Sequence, residues 1–98
     1  MRRCLIGDLI EAAAVVAASD FLDKSAYCQR LITQADAAHR YAKRYGRAHP
    51  LWGNGSLMAR ALIERPAKIW PHSSAPFLHA LSLITQILAA RKSALQPE

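Results

Sequence analysis

Apolar residues recur along this chain at helical rather than strand spacing, in four separate segments. In the first, Leu5, Leu9 and Val16 fall on one face with Ile6, Ile10, Ala13 and Ala17 beside them, while Asp8 and Glu11 fall opposite. This predicts a helix with one buried stripe, ending near Ala18, where Ser19-Asp20 offers turn chemistry. The second segment is the longest. Cys28, Leu31, Ala35, Ala38, Ala42 and Tyr45 repeat at steps of three and four, flanked by Ile32 and His39. The predicted helix runs from Asp23 or Lys24 to Tyr45. Gly46 stops it, because glycine accepts the left-handed backbone that helix ends use.

Residues 46–55 break the period. Pro50 blocks a helix and Asn54-Gly55 signals a turn. Ser56 is placed to cap a third helix from Leu57 to about Arg65, closed by Pro66. After a second irregular stretch, Ser73 or Ser74 caps the last helix, and Pro76 fits its first turn, where a missing N–H costs nothing. Phe77, Leu81, Ile84 and Leu88 form its stripe, broadened by Leu78, Ala80, Leu83 and Ile87. It is the most apolar of the four, so the expectation puts it at the centre with helices 1 and 2 against it. Loop 46–55 and helix 3 then close one end. The fold class is all-α: a small four-helix array or bundle with a Gly/Pro/Trp-containing loop between helices 2 and 3, one domain over residues 1–98.

Composition agrees. Apolar residues make up 52% of the chain, yet only two are Phe and two are Trp; alanine and leucine, both strong helix formers, supply most of the rest. Two cysteines, Cys4 and Cys28, are too few for a secreted disulfide scaffold and read as packed, reduced thiols of a cytoplasmic protein. Met1-Arg2-Arg3 and the apolar stretch ending at Ala17-Ala18-Ser19 imitate a signal peptide, but Asp8 and Glu11 interrupt its core. No run approaches the ~18–20 apolar residues of a membrane span, so no membrane partner is expected.

Charge changes the picture more. The net charge is +6, and residues 37–74 account for it, with seven Lys/Arg against one Glu. At 100° per residue, Arg40, Lys43, Arg44 and Arg47 cover about one third of the second helix's circumference, opposite its apolar stripe. Such a stripe beside a loop with His49 and Trp52 suits phosphates, with the indole stacking on a base or sugar. It equally suits a solvated face, since cations near a helix C-terminus are stabilising on their own and Asp36 can pair with Arg40. No recognised nucleic-acid module accompanies it.

The second candidate is Gly53-Asn54-Gly55-Ser56, whose N–H groups open a helix and offer a seat for a small anion, with Arg47 and Arg60 to assist. Neither the dinucleotide nor the P-loop fingerprint is present, and a glycine turn with a serine cap explains the same residues. Trp52 and Trp70 are either plugs in the side of the bundle or interface anchors. The four histidines, at 39, 49, 72 and 79, lack zinc spacing, so no metal or cofactor is expected. The acids do not converge, the serines read as caps, and Cys28 lies on an apolar stripe; no catalytic constellation follows.

The stretch from Tyr41 through Arg44-Tyr45-Gly46-Arg47-Ala48-His49-Pro50-Leu51-Trp52-Gly53-Asn54-Gly55-Ser56 to Leu62, with the opening Arg2-Arg3-Cys4-Leu5-Ile6-Gly7-Asp8-Leu9, resembles a group of short, uncharacterised proteins from alphaproteobacteria. The resemblance implies a bacterial, cytosolic origin and carries over no catalytic or binding residues.

The leading expectation is a non-enzymatic helical module that binds a protein partner or itself as a homo-oligomer. The first alternative is nucleic-acid or polyanion binding through Arg40, Lys43, Arg44 and Arg47. The second is binding of a small anion or partner at His49, Trp52, Gly53, Asn54, Gly55, Ser56 and Arg60.

Overall fold

The computed structural model describes residues 1–66 and 68–95. It contains helices α1 (Ile6–Ala18), α2 (Lys24–Tyr45), α3 (Leu57–Ile63) and α4 (Ala75–Leu95). Among the described residues there is no strand, only an isolated antiparallel bridge between His49 and Gly53. No helix among them is long and apolar enough to cross a membrane.

The helix ends follow from cap chemistry. Asp23 accepts the Ala26 N–H to open α2 at 2.9 Å, Ser56 accepts the Ala59 N–H to open α3 at 3.1 Å, and Ser74 opens α4. Gly46, with φ of 68°, closes α2 through its own N–H to the Ala42 carbonyl. Helix α3 stops two residues short of Arg65. Pro66 disfavours helical backbone at the residue before it, and the last N–H groups, of Glu64 and Arg65, turn back tightly onto Ala61 and Leu62.

The centre of the bundle is α1, not α4 as its apolar content suggests. Helix α1 packs against all three others, and five consecutive residues, Ala12 to Val16, are buried. Small side chains let three helices close around it. Helix α4 buries Phe77, Ala80 and Ile84, leaves Leu78 exposed, and runs along one side. The salt bridge between Asp36 and Arg91 and the hollow shared by Lys24 and His79 show α4 running parallel to α2. Leu9, early in α1, meets the same groove as Leu88, late in α4, so those two are antiparallel. The shared core includes Cys28, Leu31, Ile32, Leu57 and Ile84.

Asp8 also departs from the sequence reading, which put it on the solvent side. It is 5% exposed. One carboxylate oxygen accepts the Leu5 N–H at the start of α1, and the other accepts the Met58 N–H at the start of α3, both at 2.8 Å. One buried anion thus caps two helices. Gly7 lies close by, beneath the flexible end of the Met58 side chain.

Candidate functional site

Helix α2 outruns the core. Its apolar stripe is buried through Ala38, half-buried at Ala42 and exposed at Tyr45. On this overhang Arg40, Lys43 and Arg44 are exposed, and Arg47 is exposed just past the Gly46 cap. Arg40 is 72% exposed on its side chain, with Asp36 at 3.9 Å as its ion-pair partner, and the Arg44 guanidinium lies over the Tyr45 ring at 5.6 Å. Among the described residues, none of the four is consumed by a buried internal pair.

The chain start adds to this surface. Arg2 donates its backbone N–H to the Gly55 carbonyl at 3.0 Å, which lays the first residues across α2 beside His39. Asp36 accepts from the Met1 amino group and from Arg91 of α4, the latter at 3.1 Å, and faces Arg40. Its carboxyl is held below the ordinary range by the hydrogen bond from the Met1 amine against the opposing effect of burial, with the charges of the amine, Arg40 and Arg91 adding. His39 is pushed down by desolvation, then by the positive charges of the Met1 amine, Lys43 and Arg2. Arg2, Arg40, Lys43 and Arg91 therefore crowd around Asp36 and His39, and Arg44 and Arg47 continue the same surface outward.

Loop 46–55 folds back on the overhang as an aromatic tier. Tyr45 meets Tyr41 at 4.6 Å between ring centroids, Tyr41 meets His49 edge-on at 4.8 Å, and Trp52 stacks flat on His49 at 4.6 Å. His49 organises the turn. Its Nδ1 accepts the N–H groups of Leu51 and Trp52 at 3.0 and 3.1 Å, and its backbone pairs with Gly53. Trp52 is half-buried beside the basic stripe, while Trp70 is exposed elsewhere.

The helix start at residues 53–56 is filled from within. Asn54 and Ser56 spend their side-chain oxygens on the Ser56 and Ala59 N–H groups, and Asp8 occupies the Met58 N–H. Gly55, at φ of 99°, lies against the α2 backbone, where a Cβ would come within 2.6 Å of the His39 Cα. Arg60 does not assist there either. It is 4% exposed and reaches Gln34 at 2.8 Å and Glu64 at 3.0 Å, tying α3 to α2. These residues build the turn, so the arginines of the two candidate sites do not merge into one surface.

Over residues 2–88 the sequence matches a family described as a domain of unknown function, DUF7742. The chain belongs to the DUF7742 family. No curated protein and no solved structure matches it. The match spans α1 through most of α4, so the cationic overhang and its aromatic loop lie within the DUF7742 domain. Among the described residues no group of His, Cys, Asp and Glu is arranged to hold a metal ion. Cys4 and Cys28 are both free thiols; burial pushes Cys28 up to about 11, as suits packing rather than nucleophilic chemistry.

The sequence pointed to the stripe and to the Trp52 loop. It missed Arg2 and Arg91, which are far from the stripe along the chain. Asp36 was the available signal: an acid on α2 facing a helix that ends in Arg91-Lys92.

Proposed function

We propose that this chain is a non-enzymatic binding module whose working surface is the cationic end of α2, and that it takes a polyanion, nucleic acid. The observation that carries this reading is the gathering of Arg40 and Arg91 at a single acid, Asp36, and of Lys43 and Arg2 near His39 on the same helix, extended outward by Arg44 and Arg47. Cations held close together repel, and a phosphate backbone relieves that repulsion while releasing its own counterions. Tyr45 is exposed beside the stripe and offers aromatic surface on which an unpaired base can stack, with Trp52 half-buried against His49 behind it.

The test is fluorescence anisotropy of labelled DNA and RNA of mixed sequence at low and moderate salt. Four phosphate contacts on duplex DNA predict roughly a hundredfold loss of affinity between ~50 and ~200 mM salt. Changing Arg40, Lys43, Arg44 and Arg47 together to Glu removes binding, whereas Lys68→Glu leaves it unchanged. Absence of binding at low salt would reject the reading.

A protein partner or a second copy of the chain is the second reading. Leu5 and Ile6, at 63% and 72% exposure, stand beside the α1–α3 contact, and Leu62 and Ile63 of α3 are exposed as well. Light scattering across a concentration series tests self-association, and Ile6→Glu would return an oligomer to monomer.

A further inference from the structure

A groove of about 520 Å³ opens between the first four residues, Leu9 of α1, Asp36 of α2 and the last turns of α4. Its volume falls within the ~300–1,000 Å³ of sites that take small molecules. Two chemistries meet in it. Leu9 and Leu88 form part of its wall and continue into the core, joined by Met1 and Ala89. Arg2, Arg3 and Lys92 stand exposed around it and make no ion pair among the described residues, whereas Arg91 and the Met1 amine are taken up by Asp36. Among the described residues no aromatic ring lines the groove, so a nucleobase has nothing to stack on there.

We infer that this groove binds a small amphiphilic anion, with a carboxylate or phosphate head held by Arg2, Arg3 and Lys92 and an aliphatic body against Leu9 and Leu88. Guanidinium and ammonium groups form charge-assisted bonds with such heads, and the aliphatic wall excludes water from the tail. The inference goes beyond the polyanion reading: the two surfaces share Arg2 and Arg91, but Lys43, Arg44 and Arg47 do not line the groove, so loss of those three abolishes polyanion binding and spares the groove.

Cys4 also lines it and reports occupancy directly. It is half-buried, while Cys28 is 1% exposed in the core and stays silent toward a small disulfide reagent at mildly alkaline pH. Octanoate and octyl phosphate serve as probes for the two possible heads. At ten times its dissociation constant, a bound probe slows Cys4 labelling about tenfold. Protection by one probe and not the other identifies the head. Neither inorganic phosphate nor octyltrimethylammonium protects. Arg3→Glu combined with Lys92→Glu removes the protection while circular dichroism shows the helices intact, and Lys43→Glu combined with Arg44→Glu retains it. Failure of both anions to protect at millimolar concentration, or equal protection by the cationic homologue or by phosphate alone, would overturn the inference.

Discussion

At the residue scale, the side chains that matter most here are polar or absent. Asp8 satisfies two helix starts from one buried position, so Asp8→Ala removes two charge-assisted bonds and leaves Met58 with an unpaired N–H. A loss of about 2–3 kcal/mol is expected, read as a lower urea midpoint with an unchanged slope. Gly55 has no room for a methyl group and holds a backbone that other residues rarely adopt. Gly55→Ala is expected to cost about 3 kcal/mol or more, from backbone strain and overpacking against His39, and hydrogen exchange should show the damage spreading from loop 46–55 into α2. Arg60 is different. Its buried Nη1 has no partner among the described residues, so its charge is a cost as well as a tie. Arg60→Met should retain most of the stability, losing less than ~1.5 kcal/mol, whereas Arg60→Ala should lose more through the cavity it opens.

At the element scale, the joints between helices titrate. Asp36 links α2 to α4 and to the chain start, and its carboxyl lies below the ordinary 3.8. In the unfolded chain it takes up a proton first, so its contribution is intact above 3.8 and is lost as pH falls through the folded value. His39 is also lowered, from 6.5, and protonates more readily once unfolded. Both groups therefore make acid destabilising. Urea midpoints should fall in two stages, first below 6.5 and then below 3.8, and Asp36→Asn should flatten the second. These joints were the part of the fold least legible in the sequence. Caps and the Gly46 stop are local chemistry, so the helices could be read within a residue or two. Which helix lies at the centre is not local. Apolar residues are spread around α4, and one side of that helix faces solvent, whereas the Ala-Val run of α1 is narrow enough to be enclosed. Asp8 escaped notice because an acid opposite a hydrophobic stripe usually meets water. Its place three residues after Leu5, at the capping position of the first turn, was the missed clue.

At the scale of the whole molecule, uncompensated positive charge lies at one end. Asp20 and Asp23 at the turn between α1 and α2 have Lys24 and Arg30 beside them, whereas Arg2, Arg40, Lys43, Arg44, Arg47, Arg91 and Lys92 gather toward the opposite end. The stripe was legible because four of those cations share one helix; its enlargement was not, because folding brings Arg2 and Arg91 from either end of the chain. Repulsion there predicts that added salt raises the melting temperature from its low-salt value, since screening weakens like-charge terms. Relief of ~1 kcal/mol would move the midpoint by ~4–8 °C in a domain of this size. A midpoint that falls with salt would mean that ion pairs such as Asp36–Arg91 outweigh the repulsion.

The shared cap at Asp8 has a consequence for motion. A seven-residue helix is too short to persist alone, and its amides would ordinarily exchange with solvent as fast as those of a loop. Here the first turn of α3 is fastened to a carboxylate on the most enclosed helix of the bundle, so α3 cannot open without exposing that charge's partners at both ends. The amide hydrogens within α3 should therefore exchange only when the whole domain unfolds, giving the shortest helix the same protection as the longest.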